Sequence, residues 1–272
     1  MPNNLKKQGG DTGDEVATSF VNARKAAKGL PAFPGEKPTT LHQAYAIQNA
    51  AIGLWRAPVL GWKVGRINGA DIERYGVDRL AGPIFAPLID GLSGPVETPM
   101  FADGFGAVEG EVIFFIGEDA PVGKTSWSTD EAKAIIGDAR FGIEIASSPF
   151  AGINDHGPLV TIADFGNNNG LVVGAEIENW RAFEIDDWAC ETFVDGVSVG
   201  TGRASGIPGG PVESLRALLE NTAARGMPLK KEMAVTTGAI TGVHAIKVGQ
   251  KSVVRFGEHE LACTMTAQGE QP

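Results

Sequence analysis

The sequence is poor in the residues that soft-metal and redox sites use. Cysteine occurs twice and histidine four times in 272 residues. Cys190 and Cys263 are far apart and match no zinc, redox or disulfide spacing, so both are expected as buried free thiols. His42, His156, His244 and His259 share no ligand spacing, and only His156 falls in a loop near the candidate site below. No apolar run is long enough to span a bilayer. Positive charge is also scarce. Lys and Arg number 23 against 33 Asp and Glu, a formal net charge of −10. That balance argues against nucleic acid or an anionic membrane as partner.

Familiar catalytic motifs are missing too. Gly123-Lys124-Thr125 follows Gly117 with five residues between the glycines where a P-loop has four, and no apolar helix opens after it. No Gly-x-Ser-x-Gly elbow is present, which argues against a serine hydrolase of that type. Gly104-Phe105-Gly106 is too little for a dinucleotide fingerprint. Met1 to Gly13 is polar and Gly-rich, without a signal-peptide core. A disordered tail over residues 1–13 and a cytoplasmic location are therefore expected.

What the chain does have is paired acid in an apolar setting. Ala107 to Ile116 reads as a buried strand, β-branched and aromatic in its second half. Alternation puts Glu109 and Glu111 on one face, continued by Ile113 and Phe115. Two carboxylates there repel each other and lose hydration, and a divalent cation is the simplest compensation. Arg140 to Ala146 is a second strand-like run, with Glu144 inside it. A capping box, Ser128 to Glu131, opens a short helix between the two strands, so these strands can be neighbours. Spacing alone leaves two readings open. Glu109, Glu111 and Glu144 either bind a hard ion, Mg²⁺ or Mn²⁺, or Glu109 and Glu111 lie on an exposed edge while Glu144 pairs with Arg140. Lys63, between Trp62 and Val64 and flanked by Gly61 and Gly65, reads either as an acid/base group or as a strand-edge lysine in water.

Elsewhere the patterns are local. Asp14 is a candidate cap for a helix to about Lys28 with Gly29 as stop, Leu30 to Pro38 is a proline-rich linker, and Thr40 to Gln43 is a second capping box. Tyr75 to Phe85 reads as a loop leading to a short strand. Asn167-Asn168-Asn169 presents either ligand donors or an irregular turn. Asp195-Gly196 marks a hairpin, Pro211 opens a helix ended by Gly226, and runs 233–237, 243–248, 252–256 and 260–266 read as antiparallel strands.

Several stretches together match one family in order: Ala44 to Gln48, Gly61-Trp62-Lys63-Val64-Gly65, Val108-Glu109-Gly110-Glu111, Ile143-Glu144-Ile145 and Ala163-Asp164. From roughly Phe20 to Thr266 the chain resembles the 2-keto-4-pentenoate hydratase and 4-oxalocrotonate decarboxylase family, within the fumarylacetoacetase-like superfamily. The resemblance implies an α+β fold: a mixed β-sheet roll with flanking helices, a small N-terminal helical segment (14–58) and a catalytic domain (59–272). It implies Mg²⁺ (or Mn²⁺) on Glu109, Glu111 and Glu144, with Lys63 in the active site. Leu80, Asn168, Asn169 and Thr237 are the expected substrate-binding residues. The implied activity is hydration of a 2-hydroxy-2,4-dienoate to a 4-hydroxy-2-oxo acid, as in aromatic meta-cleavage catabolism. The rivals are decarboxylation of a 2-oxo-enedioate, C–C hydrolysis of an acylpyruvate, and a catalytically silent metal-binding relative. The expected partner is a small 2-oxo or 2-hydroxydienoic acid, and the expected assembly a homo-oligomer. One departure stands out. The segment Arg79 to Pro83 lacks the acid that family hydratases usually carry there, which leaves Arg79 as its one charge and a candidate for attracting a second substrate carboxylate.

Overall fold

The computed structural model describes residues 8–85, 88–182 and 188–271. Helices α1 (Gln8–Lys25) and α2 (Leu41–Trp55) lead to β1 (Gly61–Arg66), a short α3 (Ala70–Tyr75) and β2 (Arg79–Ile84). Next come β3 (Leu88–Asp90), β4 (Val96–Met100), the long β5 (Phe105–Ile116), α4 (Thr129–Ala134) and β6 (Ile136–Ser148). Then follow α5 (Pro158–Ala163), β7 (Asn168–Glu176), β8 (Ala189–Val194), β9 (Val197–Arg203) and α6 (Gly210–Ala224). The chain closes with β10 (Ala234–Thr236), β11 (His244–Ala245), β12 (Lys251–Phe256) and β13 (His259–Ala267). One sheet runs β2-β1-β10-β5-β6-β7-β3 with β11 also on β5, and a second runs β4-β13-β12-β8-β9. This is the expected α+β architecture of mixed sheets with flanking helices. Among the described residues no helix is long and apolar enough to cross a membrane.

The two sheets meet across β5, and Gly110 shows why. A Cβ there would lie 2.7 Å from Cys190 Sγ and 2.8 Å from Val254 Cγ1, both on the second sheet. Only glycine lets that sheet approach so closely. Because side chains alternate, Glu109 and Glu111 are then forced to the opposite face. Val108, Val112 and Phe114 share the Gly110 face and are fully buried in the main core.

Several local expectations need correction. Residues 1–7 lie outside the described residues, but 8–13 belong to α1 and not to a disordered tail. Asp14 is inside that helix rather than capping it. The helix also stops earlier, at Lys25: Ala27 takes the left-handed backbone (φ 50°) and Lys28 N–H donates to Ala23 O at 3.0 Å, the closure expected of Gly29. The linker at 30–38 is packed, with Phe33 buried edge-on against Phe20 and Phe150. Strand β2 already starts at Arg79 and pairs antiparallel with all of β1. The C-terminal strands are not uniformly antiparallel, since β10 runs parallel to β1 and β13 parallel to β4.

Candidate active site

The site forms where β1, β5, β6 and β10 lie side by side. The β5–β6 register sets Glu109 directly opposite Glu144. Like charges facing each other across a sheet are destabilising in isolation. Glu111 and Glu144 are fully buried, Glu109 is 5% exposed and Lys63 is 3% exposed. The edge-strand reading therefore fails for both Glu109 and Lys63. Glu144 does not pair with Arg140 either, because Arg140 Nε bonds Asp138 Oδ2 at 2.7 Å.

Glu144 is instead the hub. Lys63 Nζ lies 3.0 Å from its Oε1, Asn168 Nδ2 donates to Oε1 at 3.1 Å, and Thr236 Oγ1 donates to Oε2 at 2.8 Å. Glu111 Oε2 accepts from the Gly238 N–H at 2.7 Å, while its Oε1 is buried with no partner among the described residues. Such an orphaned carboxylate oxygen is costly unless something outside the chain binds it. Carboxylate oxygens of Glu109, Glu111 and Glu144 lie within 4.8 Å of one another. Ligands on Mg²⁺ at about 2.1 Å sit roughly 3 Å apart as neighbours and roughly 4 Å apart across the ion. Small side-chain rotations reach that geometry. Charge points the same way: three carboxylates and one ammonium leave two negative charges in a dry site, the complement of a hard divalent cation.

The electrostatics without a cation show the strain. Burial pushes the Glu109 carboxyl up to about 7, against the pull of Lys63 and with the repulsion of Glu144. Burial raises Glu111 well above its ordinary range, and Glu144 and Glu109 add to the effect. For Lys63 burial acts downward, but Glu144, Glu109 and Glu111 together hold the ammonium above its ordinary value. At neutral pH Lys63 is therefore charged.

Folding in metal-free buffer should carry this signature. For a carboxyl raised in the folded state, the native protein binds more protons than the unfolded one, so stability falls as pH rises. For Glu109 the stabilisation is complete below 4.5 and is lost as pH passes through about 7. We expect the metal-free Tm to be higher at pH 5.5 than at pH 8, with the gap closing on Mg²⁺ addition. Glu109→Gln should make the metal-free profile shallower, with buried Glu111 supplying the remaining pH dependence, and should remove the Mg²⁺ response. A pH-independent Tm, or the same Mg²⁺ response in the variant, would contradict the assignment.

A cavity of about 680 Å³ opens above this cluster, walled by Lys63, Arg66, Leu80, Glu109 and Asn167 among others. The expected substrate residues divide. Leu80 is in the wall. The three amides part company: Asn167, at φ 57°, reaches the cavity and Lys63 (3.5 Å), and Asn168 holds Glu144. Asn169 turns away and donates to Pro99 O at 2.9 Å. Thr237 is spent on Val112 O at 2.8 Å, and its neighbour Thr236 is the threonine that touches the acids. His156 bonds Lys37 and stacks on Phe150, outside the cavity wall. Arg79 is held by Asp78, Ser214 Oγ and Pro208 O, and is absent from the wall.

Sequence reasoning missed Arg24 altogether. It is buried, and its guanidinium bonds both oxygens of Asp164 at 2.5 and 3.0 Å. It also donates to Asn168 O and Ser147 O, both at 3.1 Å. Helix α1 thus fastens the segment that carries Asn167 and Asn168.

No protein-family model and no curated protein matches the chain. Solved structures do. The 4-oxalocrotonate decarboxylase from Pseudomonas putida G7, complexed with magnesium and adipate, superposes with a TM-score of 0.74 at 19% identity, over 94% of this chain and 97% of that one. The chain has the fumarylacetoacetate hydrolase fold. Fumarylpyruvate hydrolase from Pseudomonas aeruginosa, with Mn²⁺ and pyruvate, gives 0.55 at 15% identity, over 76% and 88% of the two chains. A yeast fumarylacetoacetate hydrolase family protein gives 0.53 at 14%, over 76% and 92%.

Proposed function

We propose that this fumarylacetoacetate hydrolase-fold chain is a metal-dependent hydro-lyase that adds water to a 2-hydroxy-2,4-dienoate. The observation that carries this reading is the buried Glu109–Glu111–Glu144 cluster, with its orphaned Glu111 oxygen beside the Lys63 ammonium and below an open cavity. The metal and pyruvate of the fumarylpyruvate hydrolase, and the magnesium and adipate of the decarboxylase, support a cation and an oxo acid or diacid as ligands. Held by the three glutamates, Mg²⁺ or Mn²⁺ would supply Lewis acidity, stabilising negative charge on the 2-oxygen of the substrate.

The chain's own groups supply the rest. Lys63 is protonated and desolvated, so it neutralises the substrate carboxylate or delivers a proton to carbon as the dienol becomes a ketone. The cavity wall is rich in groups that hold water: Asn68, Asp71, Asn154, Thr161, Asn167 and Thr241. Among the described wall residues Asp71 is the one carboxylate besides Glu109, and is our candidate for activating the water that adds at C4. That polar wall is what favours hydration.

Decarboxylation of a 2-oxo-enedioate is the second reading, favoured by similarity to the decarboxylase over nearly both full lengths. One experiment separates the two. Turnover of a 2-hydroxydienoate and of a 2-oxo-enedioate is followed by loss of ultraviolet absorbance, with and without EDTA, and the products are weighed by mass spectrometry. We expect EDTA-sensitive gain of water by the dienoate. Loss of CO₂ without hydration would transfer the assignment to the decarboxylase. Turnover indifferent to EDTA would refute both.

A further inference from the structure

We infer that Asn68 is a site of spontaneous deamidation, a modification that turns a neutral amide in the cavity wall into a carboxylate. The sequence holds two Asn-Gly pairs, Asn68-Gly69 and Asn169-Gly170. In such a pair the glycine has no side chain to shield its backbone nitrogen from the preceding amide. The fold treats the two pairs oppositely. Asn68 and Gly69 are exposed, in the turn between β1 and α3. Neither the Asn68 side chain nor the Gly69 N–H has a hydrogen-bond partner among the described residues. A Cβ on Gly69 would meet nothing within 4 Å, and α3, which follows, contains no buried residue. Little therefore resists the backbone adjustment that brings the Gly69 nitrogen onto the Asn68 side-chain carbon. Asn169 and Gly170, by contrast, are buried within β7. Asn169 Nδ2 donates to Pro99 O at 2.9 Å and to Gln268 Oε1 at 3.2 Å, and its Oδ1 accepts from Arg24 Nη1 at 3.4 Å. Its side chain reaches the next nitrogen only by giving up those bonds and the strand.

The chemistry needs water alone. The Gly69 nitrogen loses its proton to solvent base and attacks Asn68 Cγ. The bond from Cγ to the side-chain nitrogen breaks, and ammonia leaves with that proton. A five-membered succinimide remains. Water opens it at either carbonyl, giving aspartate or isoaspartate. One water is consumed, one ammonia is released, and nothing is oxidised or reduced. Asn68 lines the cavity with Lys63, Arg66, Asp71 and Glu109. The product adds a negative charge to that wall. Isoaspartate also routes the backbone through the former side chain, one carbon longer, just before α3. A carboxylate there repels an anionic ligand, and only this consequence rests on the proposed function.

The test is a peptide map of the whole protein aged in mildly alkaline buffer with Mg²⁺, beside a synthetic peptide of residues 64–73. Trypsin releases Asn68 in residues 67–74 and Asn169 in residues 141–181. Fragment masses then locate each exchange of amide for acid. We expect Asn68 to convert within about tenfold of the free peptide, and Asn169 at least about tenfold more slowly than Asn68. Asn68→Gln should abolish the change in residues 67–74, because its longer side chain closes the five-membered ring poorly. An Asn68 slower than the peptide by more than about tenfold overturns the inference. So does an Asn169 as fast as Asn68, which makes general unfolding the cause. Asn68→Asp fixes the product. Its KM for a 2-hydroxydienoate is expected to rise about threefold to fivefold, the scale of one exposed charge, and the rise should shrink in high salt. An unchanged KM overturns the effect on binding. Absence of turnover in wild type and variant alike refutes the proposed function, while the peptide map still decides the modification.

Discussion

Lys63→Met is expected to lower kcat by about 10²-fold or more, the scale of losing a positioned proton donor. The ammonium sits 3.0 Å from Glu144 and opens onto the cavity, where a bound acid would meet it. Methionine fills a similar volume without charge or donor, so the packing of this side chain beside Gly166 is kept. Removing the ammonium also leaves three carboxylates facing one another with no cation from the chain. Metal-free, the variant should be less stable than the wild type. Mg²⁺ should bind at least as well, since a competing positive charge is gone. The measurement is therefore made at saturating Mg²⁺, with Tm recorded beside kcat. A variant with recovered Tm and a hundredfold loss in kcat identifies a chemical role. Unchanged kcat would return Lys63 to a structural counter-charge for Glu144.

How much of this site was legible in the sequence follows from where each partner lies along the chain. Glu109 and Glu111 could be read because alternation in an apolar strand is local, and Gly110 between them allowed the approach of the second sheet. The capping box at Ser128 was legible for the same reason, and both of its reciprocal hydrogen bonds form. Glu144 and Lys63 were visible as isolated polar residues in apolar runs. Their meeting was not visible, because it depends on the β5–β6 register and on β10 bridging β1 and β5. Thr236 was hidden for that reason: its partner Glu144 is 92 residues away. Thr237 carried the same side chain one position on, and the pleat alone decides which of the two faces the acids. The amide run misled more mildly. Left-handed backbone at Asn167 sends three similar side chains to three different places. Arg24 gave no signal, since an arginine in the last turn of a helix ordinarily caps the dipole in water.

Arg24 carries the largest stability effect we expect. It joins α1 to the turn after α5, and its pair Asp164 is buried as deeply as itself. The guanidinium lies near the rings of Phe101 and Phe165, with centroid distances of 5.5 and 5.2 Å. Deleting it by Arg24→Ala strands the Asp164 carboxylate in a dry site and unsatisfies the Ser147 and Asn168 carbonyls together. Breaking one side of such a buried pair costs about 3–5 kcal/mol. For a chain of this size that is a fall in Tm of roughly 6 °C or more. Arg24→Lys should recover only part, because one ammonium cannot match a planar fork that bonds two carboxylate oxygens and two carbonyls. Arg24→Ala combined with Asp164→Asn should be less damaged than the sum of the single changes, since the stranded charge is gone. A shift under about 2 °C for Arg24→Ala would mean that α1 is not fastened through this pair. In that case Asn168 would have to be held against Glu144 by the β6–β7 ladder alone.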